Sequence, residues 1–465
     1  MIFIITTWEV FKIFMATIAP FRGLTYNFKK LGDMSKLAAP PYDVINEQEQ
    51  EEYYNIHPNN VIRLILGKKR NGDSDLDNRY TRSADEMKRW EEDDILTRSD
   101  SPAMYLTAHD YDPGDGKGAR TRWGLIALVR IEEEGSRVIL PHEKTFSAHK
   151  DDRLKLMRAC NAQLSQVFGL YDDSDNIISG CLAGASGTTP DVSFDFRDGT
   201  SHRMWIIKDQ VFFKKAADAM RGKSIFIADG HHRYETSRNY RNIMREKYGR
   251  GNEDKSFDYV IMYLADMNDK GLTILPTHRL VKEYRAFGPD EFLNKARRFF
   301  RIDEMPFSKQ GQGDRFIKLR QAMEDKGRET SALGFYYHNS NKYYILSLMP
   351  GAMDNDEEAL HPSLKKLDVL VLTRLILNDC LGFTREDMDN AGLIRYVSNM
   401  ADSISLVESG DCKMAFLLNP TRIDQVKDVA GNFLTMPRKS TFFYPKVISG
   451  LVFNKIDPYE TIKTP

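Results

Sequence analysis

Cysteine is scarce and scattered: Cys160, Cys181, Cys380 and Cys412 are the four in 465 residues, and no two form a Cys-x-x-Cys pair. That excludes a disulfide framework and a thiolate zinc site, and makes reduced thiols and a cytoplasmic location the expectation. An excess of either charge is missing as well. Lys and Arg number 66 against 67 Asp and Glu, so the chain lacks the overall basic field of a dedicated nucleic-acid binder, which argues against nucleic acid as a partner. Long apolar runs are also lacking. The stretch from Met1 to Phe14 is too short to span a bilayer, is broken by Glu9 and Lys12, and has no basic start or small-residue cleavage site. No membrane association is therefore expected. Met15-Ala16-Thr17-Ile18-Ala19-Pro20-Phe21 reads as a natural beginning, so residues 1–15 are expected to be disordered or a mis-assigned start. Internal repeats, heptads and low-complexity linkers are absent too.

What remains is ordinary globular composition, 41% hydrophobic and 29% charged, on a chain long enough for two or three domains. The most informative stretch is Ser224 to Tyr248. The apolar run Ser224-Ile225-Phe226-Ile227-Ala228 predicts a strand, Asp229-Gly230-His231-His232-Arg233 a tight turn, and Tyr234 onward a helix. A strand that turns through Asp-Gly into a helix sets backbone N–H groups and the positive end of the helix dipole beside the turn, an anion site. Capping and turn geometry alone could account for Asp229 and Gly230. Four ionisable residues within five at such a turn point instead to function carried on a rigid scaffold.

Other polar groups are expected at the ends of stiff segments. Ala39-Pro40-Pro41-Tyr42-Asp43 presents Tyr42 and Asp43 from proline-fixed backbone. Asn46 is expected to cap a helix to Asn55, and Val61 to Leu66 reads as a strand with Arg63 paired or facing an anion. Ala103–Tyr111 and Thr121–Ile131 predict a hairpin whose glycine-rich loop lacks a phosphate-loop ending. His142, Glu143, Lys144 and Thr145 follow the short strand Val138–Leu140 and offer a base, a carboxylate and a phosphate-neutralising ammonium. A helix is expected from about Asp151 to Leu164, a loop or hairpin over residues 172–203, and one amphipathic helix over Ser363–Leu381. The aromatics Phe335, Tyr336, Tyr337, Tyr343 and Tyr344 predict hairpin core. Near the end, Lys439, Ser440 and Thr441 could hold phosphate oxygens. The expected fold is mixed α/β, with a catalytic region over 16–285, a small α+β lobe over 286–350 and an α/β region over 351–465 completing the cleft.

Four separated motifs in one order give the chain a resemblance. Ala39–Ile45, His142–Thr145, Ala228–Thr236 and Met436–Lys446 resemble the hallmarks of the domain of unknown function 1015 family, over nearly all of residues 16–455. Asp229-Gly230-His231-His232-Arg233 also resembles the second motif of the ParB and sulfiredoxin superfamily, which includes free-serine kinases. This likeness implies a ParB/sulfiredoxin-like catalytic region in which Gly230, His231, His232 and Arg233 contact nucleotide phosphates and a carboxylate elsewhere is the base. Asp43 and Glu143 are both candidates for it. The implied activity is phosphoryl transfer between a nucleotide, ATP or ADP, and a small hydroxyl compound such as serine, with Mg²⁺ bridging the phosphates and Asp229 orienting a histidine or the turn. Two other readings stand beside it: metal-dependent hydrolysis with His231, His232, Asp229 and His142 as ligands, and a nucleotide-switched, ParB-like DNA-binding protein.

Overall fold

The structure is a computed structural model that describes residues 16–143, 147–251, 253–283, 288–307, 312–354, 360–390 and 392–465. The chain divides into two compact units, one of Met1–Pro141, Thr145–Thr273 and Phe443–Pro465, the other of His142–Lys144 and Ile274–Phe442. The residues expected to form a small lobe and a separate C-terminal region thus share one unit as far as Phe442, and the last segment belongs to the first unit. Residues 1–15 lie outside the described residues.

In the first unit, Ile139–Leu140, Ile225–Asp229, Val167–Tyr171, Tyr259–Asp266, Arg120–Arg130, Met104–Tyr111, Ser201–Ile207 and Val192–Asp195 lie side by side in that order. Ile18–Ala19 pairs with Arg120–Arg130 to complete a nine-stranded sheet. Tyr259 through Ala265 are all buried, as expected of a central strand covered on both faces. Antiparallel pairing dominates; Ile225–Phe226 beside Ile139–Leu140 and Met262–Asp266 beside Val167–Tyr171 are parallel. The predicted hairpin is present, with Tyr105 opposite Ile126 and Tyr111 opposite Arg120. The helix Glu47–Ile56 has the expected Asn46 cap, closed into a capping box by Glu49.

Two elements differ from expectation. Val61–Leu66 is not a strand: Ile62–Ile65 is a short helix. Buried Asn60 accepts from the Ile62 amide at 2.9 Å and donates to the carbonyls of Lys36 and Ala38. This local side-chain bond satisfies the Ile62 amide without a sheet partner, which β-branched composition alone does not reveal. Arg63 donates to the Tyr54 carbonyl at 2.9 Å and lies over its ring. Residues 172–203, expected to be loop or hairpin, carry the helix Ile177–Ser186, whose first amides are received by buried Asp173.

The second unit holds a six-stranded sheet in the order Phe300–Pro306, Lys342–Leu348, Ala332–Tyr337, Met414–Leu417, His278–Val281 and Ile394–Val397. Its described pairings are antiparallel. Phe335 pairs with Tyr344, and both are buried, as the aromatic pattern predicted. The single helix expected over Ser363–Leu381 is broken into Pro362–Lys365, Asp368–Val371 and a π-helical stretch Leu372–Cys380. Among the described residues no helix is long and apolar enough to cross a membrane.

Three buried histidines give the fold a built-in acid sensitivity. Burial brings His202 down to about 4 and His278 down to about 3, and lowers His109 well below the usual histidine value. Each is therefore neutral when folded but titrates near 6.5 when unfolded, so stability falls as pH drops below that value. Between pH 6.5 and 5 the expected loss is about 2 kcal/mol for each of His202 and His278. Urea denaturation across this range checks it; an unchanged midpoint contradicts it.

Candidate functional site

The strand Ile225–Asp229 pairs with Val167–Tyr171 through a register shift between Ile227 and Asp229 that turns the Asp229 end out of the regular ladder. Gly230 follows at φ 89°, ψ 30°, a left-handed conformation, and the helix His231–Tyr248 begins at once, three residues earlier than expected. No side chain caps this N-terminus, so its first-turn amides and the helix dipole are directed at the turn.

Asp229 is the electrostatic centre. Its carboxylate lies 3.3 Å from the Lys446 ammonium and 3.3 Å from the Arg233 guanidinium. Burial opposes its ionisation, but Lys446 and Arg233, with His231 nearby, bring the carboxyl down to about 2. Arg233 is only 8% exposed and also donates to the Gln166 carbonyl on the neighbouring connection. A methyl group on Gly230 would stand 2.8 Å from Arg233 Nε, so the guanidinium is folded tightly under the glycine. His231 is buried and His232 half-buried at the helix start.

Tyr42 and Asp43 lie on a 3-10 turn, Tyr42–Val44, in the same unit. The Arg153 guanidinium sits 3.9 Å above the Tyr42 ring. Burial, and then the Asp43 charge, push the Tyr42 hydroxyl up to about 12, with Arg153 and Arg233 pulling the other way. Asp43 itself is exposed. Tyr42, Arg153, Gln163, Arg233 and Thr236 line a small cavity of about 40 Å³. That is room for a few waters and too little for a nucleotide. The Thr236 hydroxyl is wholly buried beside the cavity with no hydrogen-bond partner among the described residues.

The remaining predicted residues gather in the second unit. Buried His142 lies 3.3 Å from the Thr441 hydroxyl, and Glu143 accepts from the Lys439 amide at 3.4 Å. Lys439, at φ 53°, holds its ammonium over the Tyr396 ring at 4.1 Å. Buried Arg279 donates to the carbonyls of Arg438 and Lys439, and Ser440 donates to the Pro437 carbonyl. The loop is thus pinned by internal bonds. Lys144 lies outside the described residues.

Lys446 was not among the residues singled out from sequence, although its motif was. The signal available was the closing Tyr444-Pro445-Lys446 stretch, whose lysine carries no label distinguishing it from Lys439. Only the return of Phe443–Pro465 to the first unit selects it.

A family model described as "Protein of unknown function (DUF1015)" matches residues 18–370, and the chain belongs to that family. None of the curated proteins matches the sequence. Among solved structures, the chain is similar to a conserved hypothetical protein from Pyrococcus furiosus, with 12% identity and a TM-score of 0.31 over 66% of this chain and 88% of that one. It is also similar to a free serine kinase in complex with AMP, with 10% identity and a TM-score of 0.32 over 66% and 83% of the two chains. A third similar structure is SbnI with a C-terminal truncation from Staphylococcus aureus, with 9% identity and a TM-score of 0.32 over 70% and 86%.

Proposed function

We propose that this protein carries out nucleotide-dependent phosphoryl transfer to or from a small hydroxyl metabolite. The observation that carries the reading is the convergence, at the Asp229–Gly230 turn, of an uncapped helix N-terminus with a carboxylate shared between Lys446 and Arg233. Phosphoryl transfer needs positioned donors and positive charge more than covalent chemistry. In this reading the first-turn amides and Lys446 receive phosphate oxygens, and His231 and His232 donate to them. Asp43, exposed in the same unit, accepts the proton of the substrate hydroxyl. Arg233, already bonded to Gln166 and Asp229, shapes the turn. Mg²⁺ would arrive with the nucleotide and neutralise phosphate charge. Among the described residues no group of three His, Cys, Asp or Glu side chains could hold a metal ion, so the donor set does not fit the metal-dependent hydrolase.

The test is thermal denaturation with ATP, ADP, CTP or GTP and Mg²⁺. A ligand bound only by the folded state at 100 times its Kd adds about 2.7 kcal/mol and raises Tm. One nucleotide is expected to do so, and Lys446→Gln, at a partly exposed position, is expected to abolish the rise while folding normally. No rise with any nucleotide at millimolar concentration overturns the reading. Serine is the first acceptor to assay.

A further inference from the structure

Arg122 is completely buried, and among the described residues it takes part in no ion pair. Its guanidinium lies against the rings of Phe168 and Tyr263, at 4.8 and 5.2 Å from their centroids. Three bonds leave it: Nε donates to the Tyr263 hydroxyl at 3.1 Å, Nη1 to the Pro445 carbonyl at 2.6 Å, and Nη2 to His109 Nδ1 at 3.1 Å. Burying a guanidinium with no adjacent carboxylate is costly. The carbonyl it holds belongs to the residue immediately before Lys446.

The Asp269 carboxylate acts on Arg122 through space, and a row of side chains crossing the sheet leads to a second carboxylate. Arg122 is directly opposite His109, and His109 directly opposite His202, on three successive strands. Donor and acceptor requirements fix both histidine tautomers. An arginine only donates, so His109 Nδ1 accepts and its proton is on Nε2. At the other end Thr200 donates its hydroxyl hydrogen to Asp198 at 2.6 Å, so its oxygen accepts from His202 Nε2 at 2.8 Å, leaving His202 Nδ1 with a lone pair. The two ring atoms left over are one donor, His109 Nε2, and one acceptor, His202 Nδ1. They are the two buried histidine nitrogens of this row with no other partner, on rings whose centroids are 4.6 Å apart. The structure leaves them unbonded to each other; a rotation of the rings that brought His109 Nε2 to donate to His202 Nδ1 would complete the row. Every donor then points the same way, from Arg122 through His109, His202 and Thr200 to the carboxylate of exposed Asp198.

We propose that Arg122 is a positioning residue for Lys446, fixed in place by a two-histidine relay to Asp198. Loss of Arg122 frees the Pro445 carbonyl and lets Lys446 swing away from Asp229; loss of Asp198 removes the far anchor and loosens the same lysine from a distance. Neutral histidines, required for the relay, are what burial enforces at both positions.

The functional meaning rests on Lys446 serving the proposed phosphate site, but the test does not need a nucleotide. Lysines of the full chain are acetylated with a limiting active ester, and the rate at each is read by mass spectrometry. In Arg122→Met, Lys446 is expected to react about tenfold faster than in wild type while the other lysines keep their rates, the signature of local rather than global opening. If Arg122→Met fails to fold, every lysine accelerates, and Asp198→Ala, altered at an exposed site, decides: Lys446 is expected to react about threefold faster there. An unchanged Lys446 rate in a folded variant overturns the proposal. So does a nitrogen NMR spectrum of wild type showing an Nδ1–H tautomer at His109 or His202. If the wild-type protein binds no nucleotide while the variants show these rate changes, the function proposed above is overturned and the positioning role stands.

Discussion

Arg233→Met is expected to lower the unfolding free energy by about 3–5 kcal/mol, the usual consequence of removing one partner from a buried ion pair. The guanidinium joins two strand ends: it bonds the Gln166 carbonyl before Val167–Tyr171 and the Asp229 carboxylate at the end of Ile225–Asp229. Methionine fills much of the space but satisfies neither acceptor. Asp229 retains Lys446, and at 18% side-chain exposure it retains some water, which places the expected loss at the lower end of the range. The pH dependence follows with a definite sign. A carboxyl held at about 2 in the folded state contributes stability that is present above its unfolded value near 4 and is lost as pH falls through 2. With Arg233 gone the folded value rises, so that contribution is smaller at neutral pH. Guanidinium titration at pH 7 gives the measurement, and a midpoint indistinguishable from wild type contradicts the assignment of Arg233 as a structural clamp.

Gly230→Ala is expected to cost about 3 kcal/mol through two separable causes. The left-handed backbone at φ 89° costs an L-residue about 1–2 kcal/mol, and the added carbon meets Arg233 Nε at 2.8 Å and Cζ at 2.9 Å. These atoms are the held end of the side chain and cannot move without breaking the bonds just described. The two substitutions should therefore be non-additive. In an Arg233→Met background the alanine is expected to cost only the backbone share, about 1–2 kcal/mol. Strict additivity would mean that glycine and arginine do not share the strain. The pair of experiments tests whether the glycine is required by the backbone, by the guanidinium beneath it, or by both.

Sequence pattern revealed the elements that local chemistry determines. The strand, the Asp229–Gly230 turn and the following helix were legible because an apolar run, a residue free to adopt positive φ and a helix-compatible segment follow one another. The helix start was misplaced by three residues because the pattern did not show that His231, His232 and Arg233 are helical. Val61–Leu66 suits a strand by composition, while the Asn60 side chain that receives the Ile62 amide of its short helix is itself held by the carbonyls of Lys36 and Ala38. The row of Arg122, His109 and His202 is not legible in the sequence. Arg122 and His109 lie in the two strands of the predicted hairpin, but His202 falls within residues 172–203, expected to be loop or hairpin, and only the register brings the three opposite one another. Asp229, Gly230, His231 and Arg233 stand at one turn because they are consecutive in the chain, and Lys446 joins them from more than two hundred residues away.

That late arrival bears on how the protein is made. The first unit takes its last strand-side contacts, including the Lys446 ammonium and the Pro445 carbonyl, from a segment that follows the whole of the second unit. A nascent chain that has emerged as far as Phe442 holds the turn, the helix and Arg122, but Asp229 lacks one of its two cations and Arg122 one of its three acceptors. The ribosome thus delivers the completing piece only after the second unit has been made, and chains terminated before Phe443 are left with an unfilled seam in the first unit.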